Sequence, residues 1–255
     1  MSATQLATPP PSVLRMAEGG IHFDGVRAVD GVTLEVRSGE VLGLIGPNGS
    51  GKTSTLNLLS GMLRATSGSI HLDDHDLTRL SMRRRTRFGV VRTFQSGRVF
   101  GRLTIAENVE AAALGGGLRR REARQLTADI LAELGLEDVA HQQADALTAG
   151  RIRITAIARA LASRPRFLLL DEPAAGQNES EAIALITAIR EFAQRRGCGV
   201  LLVEHDMSVV MGTCDRLHVL DSGRTVTEGE PALVRRDPKV IEIYFGKRHD
   251  HDAER

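Results

Sequence analysis

The sequence predicts an α/β fold: a core with a parallel sheet, an antiparallel β subdomain and an inserted helical subdomain. Three observations predict it. First, the compact apolar run Val41-Leu42-Gly43-Leu44-Ile45 passes through a glycine-rich loop into a helix-patterned stretch from Lys52 to Met62, with Leu56, Leu59 and Leu63 at helical spacing. Second, two further buried-type strands, Arg166 to Asp171 and Gly199 to Glu204, flank a helix-patterned stretch from Glu179 to Arg195, which is the alternation of a parallel βαβ unit. Third, between Gln95 and Ser163 the strand patterns stop and helical ones take over, notably at Ala106 to Leu114, Arg119 to Leu134 and Arg151 to Ala162.

The elements follow in order. Residues 1–12 are rich in Ala, Thr and Pro, with neither a basic start nor an apolar h-region, and are expected to be a disordered lead. From Val13 to Val36 short β-type runs are broken by Gly19, Gly20, Gly25 and Gly31, the pattern of an antiparallel element with tight turns. The expected organisation is a single domain over 13–246, with 13–94 and 164–246 as the core and 95–163 as the helical subdomain. A flexible tail, KRHDHDAER, covers 247–255.

Composition limits the function classes. At 42% hydrophobic and 25% charged the chain is globular, and 33 basic against 32 acidic residues leave a net +1, so no overall field draws it to nucleic acid or anionic lipid. With 3% aromatics and no Trp there is little to stack on bases, and a nucleic-acid partner is not expected. The basic runs Arg83-Arg84-Arg85-Thr86-Arg87 and Arg119-Arg120-Arg121 read as solvated faces, with lipid headgroups or a membrane subunit as the alternative contact. Cys198 and Cys214 lack the spacing of a disulfide framework or a zinc site, which suits a reducing cytoplasm. No apolar run approaches the length of a bilayer, and the chain is expected to be soluble by itself.

The chemistry starts at Gly46-Pro47-Asn48-Gly49-Ser50-Gly51-Lys52-Thr53-Ser54, which matches G-x-x-x-x-G-K-[ST] between a strand and a helix. Its glycines let backbone N–H groups converge on phosphate oxygens at a helix start. Lys52 would neutralise β/γ-phosphate charge and the Thr53 hydroxyl would take a position on Mg²⁺. Asp171 ends an apolar strand and Glu172 follows it: one carboxylate can hold Mg²⁺, the next can polarise an attacking water. A bare strand-end Asp-Glu could equally be a solvated turn, and the upstream phosphate loop is what favours the chemical reading. His205 ends the next strand, where an imidazole can bond a γ-phosphate oxygen, although a strand-end His is otherwise an ordinary structural residue.

With these motifs in this order, nearly the whole chain resembles an ABC transporter ATPase, which implies a P-loop NTPase core of the ABC ATPase fold using ATP and Mg²⁺. On that resemblance Phe23 corresponds to the aromatic that stacks on adenine, an ordinary core Phe being the alternative. Gln95, in Arg92-Thr93-Phe94-Gln95, corresponds to the glutamine that reaches Mg²⁺ and the attacking water from the junction with the helical subdomain. The family's signature loop, usually Leu-Ser-Gly-Gly-Gln, stands here as Leu147-Thr148-Ala149-Gly150-Arg151. In the family this loop contacts the nucleotide held by the other subunit of a head-to-tail dimer, so its alteration implies functional asymmetry, with a harmless solvated Arg151 as the alternative. Gln177 departs from the apolar residue more usual in the dimer-contacting loop, which also points toward a heterodimer.

Several stretches are similar to the branched-chain amino-acid importer group: Arg92-Thr93-Phe94-Gln95, Glu172-Pro173-Ala174-Ala175-Gly176, Glu204-His205-Asp206-Met207 and Asp237 to Gly246. That resemblance implies import of branched-chain or related amino acids, urea or short amides. It also implies a second ABC ATPase subunit, integral membrane permease subunits and a substrate-binding protein, with this chain peripheral on the cytoplasmic face of the membrane. The lipopolysaccharide-export ATPase is similar too, and a regulatory subunit that binds ATP but barely hydrolyses it is the reading from a different class.

Overall fold

Alternation of apolar and polar residues shapes the first third of the chain. A computed structural model of the protein describes residues 12–23, 25–93 and 99–245. Strands β1 (Val13–Phe23) and β2 (Val26–Arg37) form an antiparallel hairpin in which Leu14 faces Val36 and Met16 faces Leu34, all four buried. The chain then enters β3 (Val41–Ile45), buried along its whole length, and the helix α1 (Lys52–Ser60). Gly61 ends α1 in the left-handed conformation, so the helix stops at Ser60, short of the expected Met62, and Leu63 packs against the core from the connecting segment. The short strands β4 (Ser67–Leu72) and β5 (His75–Asp76) return to β1, giving a four-stranded sheet of order β2-β1-β4-β5. The antiparallel element therefore extends past the 13–36 stretch expected from sequence. Ser12, expected to close the disordered lead, is bonded instead: its hydroxyl donates to Asp73 and its N–H donates to the Ser38 hydroxyl.

The helix α2 (Met82–Arg87) and strand β6 (Val90–Arg92) precede the helical region, α3 (Ile105–Gly115), α4 (Arg120–Glu133) and α5 (Ala149–Ala162), in which no strand is found among the described residues. After it come β7 (Phe167–Asp171), α6 (Glu179–Arg195), β8 (Gly199–Val203), α7 (Met207–Thr213), β9 (Arg216–Asp221), β10 (Arg224–Gly229), α8 (Pro231–Val234) and α9 (Pro238–Phe245). The second sheet has the order β10-β9-β3-β8-β7-β6. Its pairs are parallel except at β10, which closes one edge antiparallel to β9.

Both faces of this sheet are covered, which is why its strands read as continuous apolar runs. Along β7, Phe167 and Leu169 face one core cluster with α1 and the antiparallel sheet, while Leu168 and Leu170 face another with α6 and the helical region. The helices α3, α4 and α5 pack into that second cluster through Ile105, Val109, Ile130 and Leu161. Helix α3 starts at a reciprocal cap, Thr104 accepting from the Glu107 N–H and Glu107 accepting from the Thr104 N–H. The two thiols are free and buried, and burial pushes each up to about 12, so neither is a reactive thiolate at neutral pH.

In the basic run 83–87, Arg83, Arg84 and Arg87 are exposed as expected and one residue departs from the solvated face. Arg85 is buried, and its guanidinium donates to the Leu58 and Leu59 carbonyls near the end of α1 and to those of Thr78 and Leu80. A charge is tolerated there because four backbone carbonyls, two of them in the last turn of α1, accept from the guanidinium.

Candidate functional site

The loop between β3 and α1 curls around its own lysine. Lys52 is 8% exposed, and its ammonium donates to the carbonyls of Gly46 at 2.7 Å and Pro47 at 2.9 Å. An ammonium has three donors, so one remains for an anion. Burial lowers the Lys52 pKa, and the nearby Glu172 and Asp171 carboxylates oppose that shift. Glycine is required at two places in this loop. A Cβ on Gly46 would come within 2.1 Å of the Leu220 carbonyl, and one on Gly51 (φ +101°) within 2.5 Å of the Ala28 carbonyl. Ala28 lies on β2 and Leu220 on β9, so the loop is held where the two sheets meet; the Gly223 N–H donating to the Ser50 carbonyl strengthens that hold.

The start of α1 carries no capping side chain and no acidic residue in its first turn, which leaves its positive end and unpaired N–H groups available to an anion. The Ser50 hydroxyl is buried and has no hydrogen-bond partner among the described residues, and Thr53, one residue past Lys52, is exposed. Asn48, Gly49 and Ser54 complete the loop and the first turn. Phe23, the last residue of β1 in the β1–β2 hairpin, is 45% exposed.

Parallel strands deliver the other groups to the same end of the sheet. Asp171 is the last residue of β7, and Glu172 follows at φ +46°, a left-handed conformation costly for a residue with a side chain. The Glu172 N–H donates to the Val203 carbonyl at 3.0 Å, tying the turn to the end of β8. His205 follows β8 by two residues, and its Nδ1 lies 3.9 Å from a Glu172 carboxylate oxygen and 3.8 Å from one of Glu204. Asp171 accepts at 2.9 Å from Arg92 at the end of β6, a nearly buried pair, and Arg92 also donates to Asn57 on α1. Arg92, Arg153 and Glu204 carry no role in the sequence reading. Arg92 could have been found as a cation closing a run, Gly-Val-Val, that otherwise reads as a buried strand. Gln95 lies outside the described residues.

The signature stretch occupies a separate place. Thr148 caps α5 by accepting from the Arg151 N–H, Ala149 is exposed and Gly150 is half-buried. Arg151 turns away from the helix end: its guanidinium grips Asp138 with two bonds, at 3.0 and 3.1 Å, and donates to the Gly135 carbonyl at 2.6 Å. This pairing supplies the anion that a cation at a helix start needs, and it comes from the same chain. Because the pair is half-exposed, Arg151→Gln is expected to cost no more than about 1 kcal/mol, about 2–4 °C in Tm. ATP turnover should stay within about twofold of wild type, less than 1.4 kcal/mol would give. Calorimetry and a phosphate-release assay on the assembled complex check both; a tenfold change in turnover at constant Tm would put Arg151 on the partner's phosphate instead. Gln177, in the loop after Glu172, is half-buried with its side-chain oxygen unpartnered among the described residues.

Taken together, one end of the sheet combines an anion-binding loop, a buried ammonium, two consecutive carboxylates and an imidazole. This set suits phosphoryl transfer to water, in which positioning and charge stabilisation do most of the chemistry. The Thr53 hydroxyl and the Asp171 carboxylate are hard oxygen donors of the kind Mg²⁺ takes, and a nucleotide would complete its shell.

Comparison with known proteins agrees with this geometry. The family model described as ABC transporter matches residues 29–175, and one described as branched-chain amino acid ATP-binding cassette transporter matches residues 224–250. The high-affinity branched-chain amino acid transport ATP-binding protein LivG of Salmonella typhimurium is 39% identical over 242 residues, covering 89% of this chain and 95% of LivG. The corresponding protein BraF of Pseudomonas aeruginosa is 38% identical over 250 residues, covering 92% and 98%. Among solved structures, the ADP conformation of an ATP-binding cassette of an ABC transporter superposes with a TM-score of 0.80 at 30% identity, covering 92% of this chain and 99% of that one.

Proposed function

The chain belongs to the ABC transporter ATP-binding family, and on that premise we propose that it powers import of branched-chain or related amino acids, paired with a second, different ATPase subunit. It is an ATPase, and subunits of this kind work with membrane permease components. The substrate class is carried by one observation, the branched-chain match over residues 224–250, a stretch that includes β10, α8 and α9. No helix among the described residues is long and apolar enough to cross a membrane. In this reading the chain is held at the cytoplasmic face by the permease, and a substrate-binding protein delivers the cargo.

The residue roles belong to the same proposal. Phe23 stacks on adenine, and residues 46–54 wrap the phosphates. Lys52 gives its third donor to a γ-phosphate oxygen, and His205 steadies the same group. Glu172 takes a proton from the attacking water as the new O–P bond forms and the bond to the β-phosphate oxygen breaks, releasing ADP and phosphate. Thr53, Asp171 and Gln95 would hold Mg²⁺. When bound, that ion supplies charge neutralisation across the β- and γ-phosphates. Thr148, Ala149 and Gly150 face the partner's nucleotide, while the Arg151 guanidinium stays on Asp138 of its own chain, and residues 95–163, as the helical subdomain of the 13–246 domain, dock on the permease. The changed signature and Gln177 support two unlike ATPase subunits rather than a pair of this chain.

The test is affinity capture of the tagged chain from its own gently solubilised membranes, with mass spectrometry of what accompanies it. Two integral membrane proteins, a second ATPase and a substrate-binding protein are expected. Membrane proteins without a binding protein would favour an exporter, and recovery alone or with soluble partners would remove the transport assignment.

A further inference from the structure

The turn that carries Glu172 is strained and yet closely held. With Glu172 at φ +46°, the next residues fold into consecutive tight turns: the Ala175 N–H donates to the Glu172 carbonyl at 3.2 Å and the Gln177 N–H to the Ala174 carbonyl at 3.0 Å. Such backbone persists only where its surroundings over-determine it. Two side chains bond this turn. Arg153, on α5, donates to the Ala175 carbonyl. Glu204, at the end of β8, accepts from the Ala174 N–H at 3.3 Å.

Glu204 is the unusual member. It is 2% exposed, in a place where an apolar residue would continue the buried strand. Burial raises its pKa, the Ala174 N–H and His205 pull it back down, and the Glu172 carboxylate raises it. A buried carboxyl is costly unless its oxygens are used. One oxygen of Glu204 holds the turn, and the other lies 3.8 Å from His205 Nδ1, the same nitrogen that stands 3.9 Å from Glu172. The imidazole nitrogen thus has two carboxyl groups within 4 Å, that of Glu204 buried and that of Glu172 half-buried.

We propose that Glu204 is a positioning residue for hydrolysis: wedged between the Ala174 N–H and the His205 ring, it holds the strained turn so that Glu172 faces the reacting phosphate and His205 stays beside it. This rests on the assignment of Glu172 as the group that activates water. Glu204 is buried behind the turn, and in this reading it acts through Glu172 and His205. Arg153 holds the same turn from the signature helix, so the site on one side of the chain shares a support with the loop that faces the partner.

The experiment measures ATP turnover and fluorescent-nucleotide affinity of the assembled complex carrying Glu204→Ala, Glu204→Gln, Glu172→Gln, or Glu204→Ala together with Glu172→Gln. Glu204→Ala should lower kcat about tenfold while nucleotide affinity and KM change less than about twofold. Glu204→Gln, which keeps an acceptor for the Ala174 N–H, should recover most of the lost rate. On the Glu172→Gln background, Glu204→Ala should cost no further turnover, because the residue it positions is already disabled. Undiminished kcat in Glu204→Ala, an equal loss of kcat and affinity, or additive losses in the double variant would overturn the inference. Wild-type turnover in Glu172→Gln alone would instead remove the assignment on which it rests.

Discussion

Lys52→Ala is expected to lower ATP turnover by about 10²–10³-fold or more, the scale lost when a preorganised donor to developing charge is removed. Two of the three Lys52 donors bind the Gly46 and Pro47 carbonyls, so the ammonium is already placed and desolvated before a phosphate arrives. Alanine removes both the charge that meets the γ-phosphate and the staple that curls the loop. Affinity for ATP should therefore fall as well, which separates this variant from one that damages only the chemical step. The fold should survive, because the apolar packing of α1 comes from Leu56, Leu58 and Leu59 and not from its first residue. Fluorescent-nucleotide titration and phosphate release on the assembled complex check the result, with a melting curve as control. Turnover near wild type with an unchanged melting curve would contradict the role assigned to Lys52.

The parts of the site that lie on continuous apolar strands were legible in the sequence. β3, β7 and β8 are short continuous apolar runs consistent with a sheet buried on both faces, and each ends near a residue whose chemistry is visible beside it: the Gly46 loop, Asp171 with Glu172, and His205 after Glu204. What was not legible depends on partners distant in the chain. β4 has two buried apolar residues in six and becomes a strand by pairing with β1, about which its own pattern says nothing. Arg85 belongs to a run of similar arginines on a six-residue helix too short to show a period, and only its contacts with α1 set it apart. Arg92 and Asp171 meet across 79 positions, and Glu204 and Ala174 across 30. A cation or carboxylate inside an apolar run is visible in sequence as an anomaly, but its purpose appears only when the fold supplies the opposite group. Arg151 shows the same limit from the other side: sequence places it at a helix start facing a partner, and the structure gives its guanidinium to Asp138.

Glu172→Gln should leave ATP bound and lower turnover by about 10²–10⁴-fold, the contribution typical of a positioned general base. The substitution keeps the shape and the backbone and removes one carboxylate charge beside Lys52 and His205. Glutamine has nearly the shape of glutamate, the strained backbone at φ +46° is held by the Val203 carbonyl and by the Ala175 N–H, and neither bond uses the side chain. What is lost is the ability to accept a proton from water. The phosphate loop, Lys52 and the start of α1 remain to hold nucleotide, so affinity should match wild type or exceed it, since bound ATP is no longer consumed. Two subunits closed around ATP would then stay closed, and the complex should retain stoichiometric ATP through gel filtration where the wild type releases ADP. Nucleotide extracted from the eluted peak and identified by chromatography gives the answer directly. Retained ATP with little turnover places the proton acceptor at Glu172. Undiminished turnover would mean that hydrolysis in the complex is carried by the other subunit and that this chain's site binds ATP without spending it.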